Sequence, residues 1–168
     1  VRLIEYETDG LRINKTLTES DQSIEVRYAV APKANPSSLI SMNLTIWISW
    51  DALLLDHALE GNVVKLKLGF GDLEIRFIGN LTRVEVGPDP EYGQNRVQAA
   101  LKLRSEADEV GVNISSLKPL LFEYEATTRP IMEADDCLSI SLDTNIFKVV
   151  FKQGALAICR TNPRLDLN

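Results

Sequence analysis

Hydrophobic and polar positions alternate in three consecutive segments between Asn62 and Val86, and small turn residues separate the segments. The side chains that share the inward parity are Val64, Leu66 and Leu68, then Leu73, Ile75 and Phe77, then Thr82, Val84 and Val86. A period of two places one face of a strand against a core and the other face in water. The stretch therefore predicts an antiparallel meander. Its outer face carries mixed charges without convergent chemistry, so we interpret it as scaffold.

The same alternation recurs in residues 23–31, 41–50, 96–104 and 120–126. We expect about ten strands at a spacing of roughly 8 to 14 residues, which is typical of a β-sandwich or a jelly roll. The prediction is an all-β, antiparallel fold in a single domain that spans residues 1–168, with a tail at 161–168. We expect a polar loop at residues 16–22 and irregular structure at residues 111–119.

The segment from Asp51 to Glu60, DALLLDHALE, breaks the alternation with three consecutive leucines. Asp51 is a suitable N-cap residue, and Gly61 suits the position that follows the C-terminus of a helix. We therefore predict a short helix near residues 51–60 that crosses one end of the sheets.

A second meander is expected between Cys137 and Cys159, and its more apolar sequence places it deeper in the core. Its strands are expected at 137–142, 146–151 and 155–160, with a turn at 143–145. In a simple meander the two cysteines lie roughly 20 Å apart, whereas a disulfide needs Cα atoms within about 7 Å. We therefore expect two free, buried thiols. In the alternative, the last strand joins the other sheet, which would permit the bond and favour an oxidising compartment.

Composition and charge narrow the classes of function. The chain has 24 acidic and 18 basic residues, a net charge of −6 and a pI near 4.9. A general nucleic-acid binder needs a basic surface, and an anionic membrane attracts basic segments, so we expect neither partner. No apolar run approaches the roughly 18 residues of a membrane-spanning helix. Mild acidity is typical of a soluble protein.

The N-terminal residues do not resemble a signal peptide, because charges occur throughout residues 1–15. The chain begins with Val1, so we expect a processed protein, a trimmed chain or a domain of a larger protein. Four glycosylation sequons begin at Asn14, Asn43, Asn80 and Asn113. They are typical of a secreted protein, but Asn and Thr are also frequent on solvent faces of β proteins. A cytoplasmic location is slightly favoured over a secreted one.

Three aromatic residues are candidates for a ligand-binding surface. Trp47 shares the outer parity of its strand, Trp50 follows at the strand end, and Tyr92 lies in the acidic loop GPDPEYGQ. Flat aromatic surfaces near acids suit sugar or protein ligands. In the alternative, Trp47 is covered by the 51–60 segment or by an edge loop.

Acidic residues cluster in two of the expected loops. Asp89 and Glu91 belong to one loop, and Glu133, Asp135 and Asp136 belong to the other. Calcium takes six to eight oxygen ligands from flexible loops, so the two loops could share a calcium ion if they lie at the same end of the sandwich. In the alternative these are solvated loop charges. No other cofactor is expected.

His57 is the only histidine and follows Asp56 in the chain. Neither the cysteines nor the carboxylates around it show the spacing of zinc ligands. No nucleophile-elbow motif is present either. We expect no catalytic role for His57.

The sequence therefore predicts a non-enzymatic binding or structural module, a domain of a larger protein or assembly that binds a protein partner. This hypothesis rests on the all-β frame with long polar loops and on the lack of a catalytic signature. A second hypothesis is an extracellular β-sandwich domain that binds carbohydrate or calcium. A third is a hydrolase with two carboxylates roughly 5 to 9.5 Å apart in a β cleft.

Overall fold

The computed structural model of the chain describes residues 1–7, 11–20, 22–33, 40–48, 53–69, 71–88, 90, 95–103, 109–116, 120–123, 130–134, 138–152 and 155–160. Within these residues the secondary structure is entirely β. The strands are β1 (Arg2–Glu7), β2 (Leu11–Glu19), β3 (Ser23–Pro32), β4 (Ile40–Ile48), β5 (Leu54–Glu60), β6 (Val63–Leu68), β7 (Gly71–Ile78), β8 (Asn80–Pro88), β9 (Asn95–Leu103), β10 (Glu109–Ser116), β11 (Leu120–Glu123), β12 (Pro130–Ala134), β13 (Leu138–Lys152) and β14 (Ala155–Arg160).

The strands form two sheets of seven. Sheet A has the order β1-β2-β3-β10-β7-β6-β5, and sheet B has the order β11-β14-β13-β4-β9-β8, with β12 paired to β13. All pairs in sheet A are antiparallel. Sheet B is mixed, because β4 pairs with β13 and β11 pairs with β14 in parallel. The all-β sandwich is thus confirmed, with fourteen strands in the described residues instead of about ten.

One hydrophobic core joins the two sheets. Alternate residues of β3, β6, β7 and β10 in sheet A and of β4 and β9 in sheet B are buried in the same cluster. The expected inward parities are confirmed for the described side chains of β3, β4, β6, β7 and β9, and the sequence of β9 also suits a helix. Burial of each large aliphatic side chain contributes about 1.5–3 kcal/mol, so this shared cluster is the main stabilising element of the sandwich.

The predicted helix near residues 51–60 is wrong. Leu54–Glu60 is strand β5, which forms a hairpin with β6 through the two-residue turn Gly61–Asn62. Gly61 has a φ of 60°, and this positive value serves the hairpin turn instead of a helix C-terminus. The consecutive leucines reflect a register shift between Leu54 and Asp56, because a bulge breaks the period of two.

The predicted meander at 62–86 contains three strands, but they do not lie in one sheet. β6 and β7 are neighbours in sheet A, whereas β8 pairs with β9 at the edge of sheet B. The chain changes sheets at Gly79, whose φ is 107°. A Cβ atom at Gly79 would lie 2.9 Å from Cγ1 of Val110, so both backbone conformation and space favour glycine at this corner.

Two segments that were expected to be irregular are strands. β2 continues through Glu19, and its inward side chains Ile13, Lys15 and Leu17 are buried. β10 lies between β3 and β7 near the middle of sheet A. Its alternate residues are buried against the core, so it is an integral part of the sandwich.

The last segment also differs from the predicted meander. β13 is continuous over fifteen residues, and the expected turn at 143–145 is a register irregularity between Leu142 and Asn145 in its ladder with β4. Cys159 in β14 lies opposite Lys148, and Leu138 begins β13 ten residues earlier. Cys137 lies outside the described residues, as do the expected tail at 161–168 and the expected N-cap Asp51.

Candidate functional site

A concave surface of about 800 Å³ crosses five neighbouring strands of sheet A: β3, β10, β7, β6 and β5. We call it the concave surface. Its lining is mostly polar and consists of Ser20, Gln22, Ser23, Asp56, His57, Ala58, Lys65, Leu66, Lys67, Asp72, Leu73, Glu74, Asn113, Ser115 and Ser116. Because Leu66 and Leu73 face the core, the residues that alternate with them present their side chains on the opposite, outer face.

Charges of opposite sign face each other across the strands of this surface. Lys67 lies opposite Asp56 of β5 on one side and opposite Asp72 of β7 on the other. Lys65 lies opposite Glu74 in the same ladder. Opposite charges at paired positions stabilise a sheet by roughly 0.2–1 kcal/mol each. The arrangement therefore places the two lysines next to carboxylates and offers a ligand both donors and acceptors.

Lys65 also forms an ion pair along the hairpin. Its Nζ lies 2.8 Å from Oε2 of Glu60. The hydrogen bond to Glu60, its charge and, to a smaller extent, the charge of Glu74 raise the pKa of Lys65. The ammonium therefore remains charged throughout the physiological pH range.

A second polar cluster borders the concave surface on β3 and β10. Nε of Arg27 donates to Oε1 of Glu25 at 2.5 Å, and Nη1 of Arg27 donates to Oε2 of Glu109 at 3.1 Å. Nδ2 of Asn113 donates to Oε2 of Glu25 at 3.2 Å. The hydrogen bond from Arg27, and then that from Asn113, lower the pKa of Glu25 despite its partial burial. This network fixes Asn113, which lines the concave surface.

The rim at the β2–β3 connection is held by hydrogen bonds within the connection and by one to β10. Ser20 N donates to the carbonyl oxygen of Ser23 at 2.9 Å, and Ser23 N donates to Oγ of Ser20 at 3.1 Å. Ser116 N donates to the carbonyl oxygen of Gln22 at 3.0 Å. The rim therefore has defined positions for hydroxyl groups, which both donate and accept.

The opposite rim is β5, the terminal strand of sheet A among the described residues, where apolar side chains are exposed. Leu53, which precedes β5, is 61% exposed, and Leu55 and Leu59 within it are 56% and 53% exposed. His57 is exposed as well, and its backbone N–H donates to Oδ1 of the adjacent Asp56 at 2.8 Å. An exposed apolar edge strand is a surface on which another strand can pair.

The structure does not test the predicted aromatic site. Trp47 lies in β4, with Arg96 of β9 and Ile146 of β13 as its neighbours across the ladders. Trp50 and Tyr92 lie outside the described residues. The ligand-binding role of these three residues stays a prediction.

The predicted calcium site is also untested. Asp89, Glu91, Asp135 and Asp136 lie outside the described residues, and Glu133 is in β12 opposite Ser139. β8 and β9, which flank the first loop, meet next to Ile48 of β4, and β12 and β13, which flank the second, meet next to Ile40. Ile40 and Ile48 are at opposite ends of β4, and the rise per residue places them about 26 Å from each other. A shared ion would require the loops to reach across that distance. Within the described residues no three His, Cys, Asp or Glu side chains group as metal ligands.

Sequence reasoning missed the residues that form the concave surface. Ser23, Asn113 and Ser115 each resemble an ordinary solvated position, and they meet Glu74 and Lys65 only through the strand order. The one available signal was the period of two in β10, where Val110, Val112 and Ile114 alternate with small or polar residues. Recognition of that strand would have placed Asn113 and Ser115 on the outer face of a sheet.

Comparison with known proteins gives no family for this chain: no family model matches its sequence, and no curated protein matches it. Within the described residues, no helix is long and apolar enough to cross a membrane.

Proposed function

We propose that the chain is a non-enzymatic binding module of a larger protein or assembly, and that it holds a polar segment of a partner protein on the concave surface. The observation that carries this proposal is the concave surface itself, about 800 Å³ in volume and lined by residues of five strands. Its size is within the range of roughly 300–1,000 Å³ that is usual for binding sites.

The chemistry of the lining supports a polar peptide as ligand. Lys65 and Lys67 offer ammonium donors, Asp72 and Glu74 offer carboxylate acceptors, and Asn113 offers an amide. Because positive and negative groups alternate across the strands, the surface is complementary to a segment of mixed charge. Such complementarity gives specificity and a faster association rate.

The experiment is selection of a peptide library displayed on phage against the immobilised protein, followed by titration of the enriched peptides into isotopically labelled protein. We expect mixed-charge peptides whose binding shifts the amide resonances of Lys65, Lys67, Asp72 and Asn113. Lys67→Ala and Asn113→Ala are expected to weaken binding roughly tenfold, since each removes a hydrogen bond of about 1.5 kcal/mol.

A matched control is available on the other sheet. Arg83→Ala removes an exposed cation from β8, at the edge of sheet B, and is expected to leave peptide binding unchanged. A library that yields no enriched peptide, or peptides that bind equally well to all three variants, would refute the concave surface as the binding site.

A further inference from the structure

β5 is the terminal strand of sheet A in the part of the chain that the structure describes. Its exposed leucines, Leu55 and Leu59, lie on a strand edge, where natural β proteins usually place charges, prolines or a covering loop. The edge therefore combines exposed leucines with the charged residues Asp56 and Glu60, at a position where a further strand can pair.

His57 and Leu59 of β5 direct their backbone N–H and C=O groups away from the sheet. Glu60 and Val63 flank a two-residue turn, so they exchange hydrogen bonds with each other. Because the direction alternates along a strand, Ala58 also bonds to β6, whereas His57 and Leu59 point their N–H and C=O groups outward. The bond from His57 N–H to Oδ1 of Asp56 agrees with this direction.

We propose that β5 pairs with β5 of a second copy of this chain, antiparallel, with a two-fold axis at His57. This register places Leu55 opposite the partner's Leu59, so that two exposed leucines cover each other at two equivalent places. It places Asp56 opposite the partner's Ala58. Glu60 then lies near the partner's Leu54, beyond the register irregularity between Leu54 and Asp56. No carboxylate then faces another carboxylate directly across the interface.

The charge pattern selects this register over its neighbour. If the axis passed through Ala58, Asp56 would lie opposite the partner's Glu60, and like charges at paired positions are destabilising. The His57 register also uses the outward N–H and C=O groups of His57 in a mutual pair of hydrogen bonds. A second copy thus covers the leucines of the edge and pairs its outward backbone groups, and the N–H of His57 exchanges its bond to Oδ1 of Asp56 for one to the partner.

The dimer would join the two A sheets into one. Asp56, His57 and Ala58 lie on the rim of the concave surface, so the two concave surfaces would become neighbours across the axis. This inference is independent of the proposed function, because one copy contains a complete concave surface.

The first test is light scattering coupled to size-exclusion chromatography, over loading concentrations from about 1 to 200 µM, because mass action makes dimerisation concentration-dependent. The mass is expected to rise from the 18.7 kDa of one chain towards twice that value. Leu59→Lys is expected to raise the dissociation constant at least roughly tenfold, from the loss of one buried leucine contact per copy. A mass that stays monomeric at every concentration overturns the proposal.

A matched control lies on the opposite edge of the same sheet. Leu3 in β1 is 63% exposed, and Leu3→Lys is expected to leave the dissociation constant unchanged. If Leu3→Lys separates the dimer and Leu59→Lys does not, the contact uses the other edge and the proposal is overturned.

Asp56→Ala tests the contact with a substitution that should strengthen the dimer, whereas Leu59→Lys should weaken it. It removes the acceptor that occupies the N–H of His57, so it is expected to tighten the dimer several-fold, a gain that unfolding cannot produce. An unchanged or weakened dimer contradicts the role of the outward N–H group.

The register is tested by cross-linking in a chain with Cys137→Ser and Cys159→Ser. Paired residues that exchange both hydrogen bonds have Cα atoms about 5.5 Å apart, within the range of a disulfide. Under mild oxidation His57→Cys is expected to form a covalent dimer faster than Ala58→Cys does. Faster cross-linking of Ala58→Cys would overturn the His57 register.

Discussion

Nζ of Lys15 lies 5.5 Å from the centroid of the Tyr28 ring, and both side chains are fully buried. The two residues are paired across β2 and β3. Transfer of an ammonium group from water to a protein interior costs several kcal/mol, and a ring face returns about 2 kcal/mol when the cation is desolvated. The Tyr28 ring is therefore part of what permits a lysine inside the sandwich.

A double-mutant cycle measures this relationship. The free energy of unfolding is measured in urea for the wild type, for Tyr28→Leu, for Lys15→Met and for the double variant. We expect a coupling energy of about 1–2 kcal/mol, because Tyr28→Leu removes a cation–π partner only while Lys15 is present. Tyr28→Phe keeps the ring and is expected to keep most of the coupling. Additive effects of the two substitutions would show that the ring and the ammonium do not interact.

Lys15 also explains why β2 was not predicted through to its end. Its side chain occupies an inward position between Ile13 and Leu17, where the period of two leads one to expect an apolar residue. The charged residue breaks the pattern, so the polar segment after it has the sequence of a loop. By contrast, every inward position of β6 and β7 is apolar, and both strands were predicted correctly.

β5 was mispredicted for a different reason. An edge strand has few neighbours, so its faces need not differ in polarity, and six of its seven residues are exposed. Without alternation, helix propensity and capping residues were the remaining signals. The pairing with β6 outweighs these local signals, because the two-residue turn that begins at Gly61 joins β5 and β6 in a hairpin.

The concave surface could not be predicted, because its residues come from strands that are distant in sequence. Ser23 and Ser115 are direct neighbours across β3 and β10, and Ser115 is next to Glu74 of β7. Periodicity assigns each residue to the outer face but does not give the order of the strands. The central place of β10 between β3 and β7 is a long-range feature that local pattern does not encode.

Gly111 in β10 is expected to be intolerant of any side chain. A Cβ atom there would overlap the backbone carbonyl oxygen of Val26 and would lie 3.0 Å from Cα of Arg27. Because these are backbone atoms of β3, the ladder itself must move. We expect Gly111→Ala to lower the free energy of unfolding by about 3 kcal/mol, the upper end for overpacking, as measured by chemical denaturation.

Gly87→Ala is the control for that substitution, since nothing lies within 4 Å of a Cβ atom at Gly87. We expect a change within about 0.5 kcal/mol, as for other surface substitutions. Equal stability of Gly111→Ala and Gly87→Ala would show that Gly111 does not lie against the backbone of β3.

The two cysteines are expected to be free thiols. Cys159 lies opposite Lys148, and Leu138, the neighbour of Cys137 in the chain, is ten residues from Lys148 along β13. Ten residues of strand span about 33 Å, far beyond the roughly 7 Å that a disulfide allows. Titration of protein purified without reductant and unfolded in urea should therefore give two thiols per chain. A count of zero that rises to two after reduction would contradict this pairing of β13 with β14.

Glu25 is expected to contribute stability that depends on pH. The hydrogen bonds from Arg27 and Asn113 lower its pKa below the ordinary value of 4.5, so the folded state favours the carboxylate. The contribution is fully present above pH 4.5 and is lost as the pH falls through the lowered pKa of the folded state. Relative to Glu25→Gln, the wild-type chain should thus be more stable by up to about 1 kcal/mol at pH 7, given a partly exposed pair. Urea unfolding from pH 7 to pH 3 should show this difference shrinking below pH 4.5.

Glu19→Gln is the control, because Glu19 is exposed and has no ion pair among the described residues. If the stability of Glu25→Gln runs parallel to that of the wild type over the whole range, Glu25 does not hold its carboxylate through these bonds.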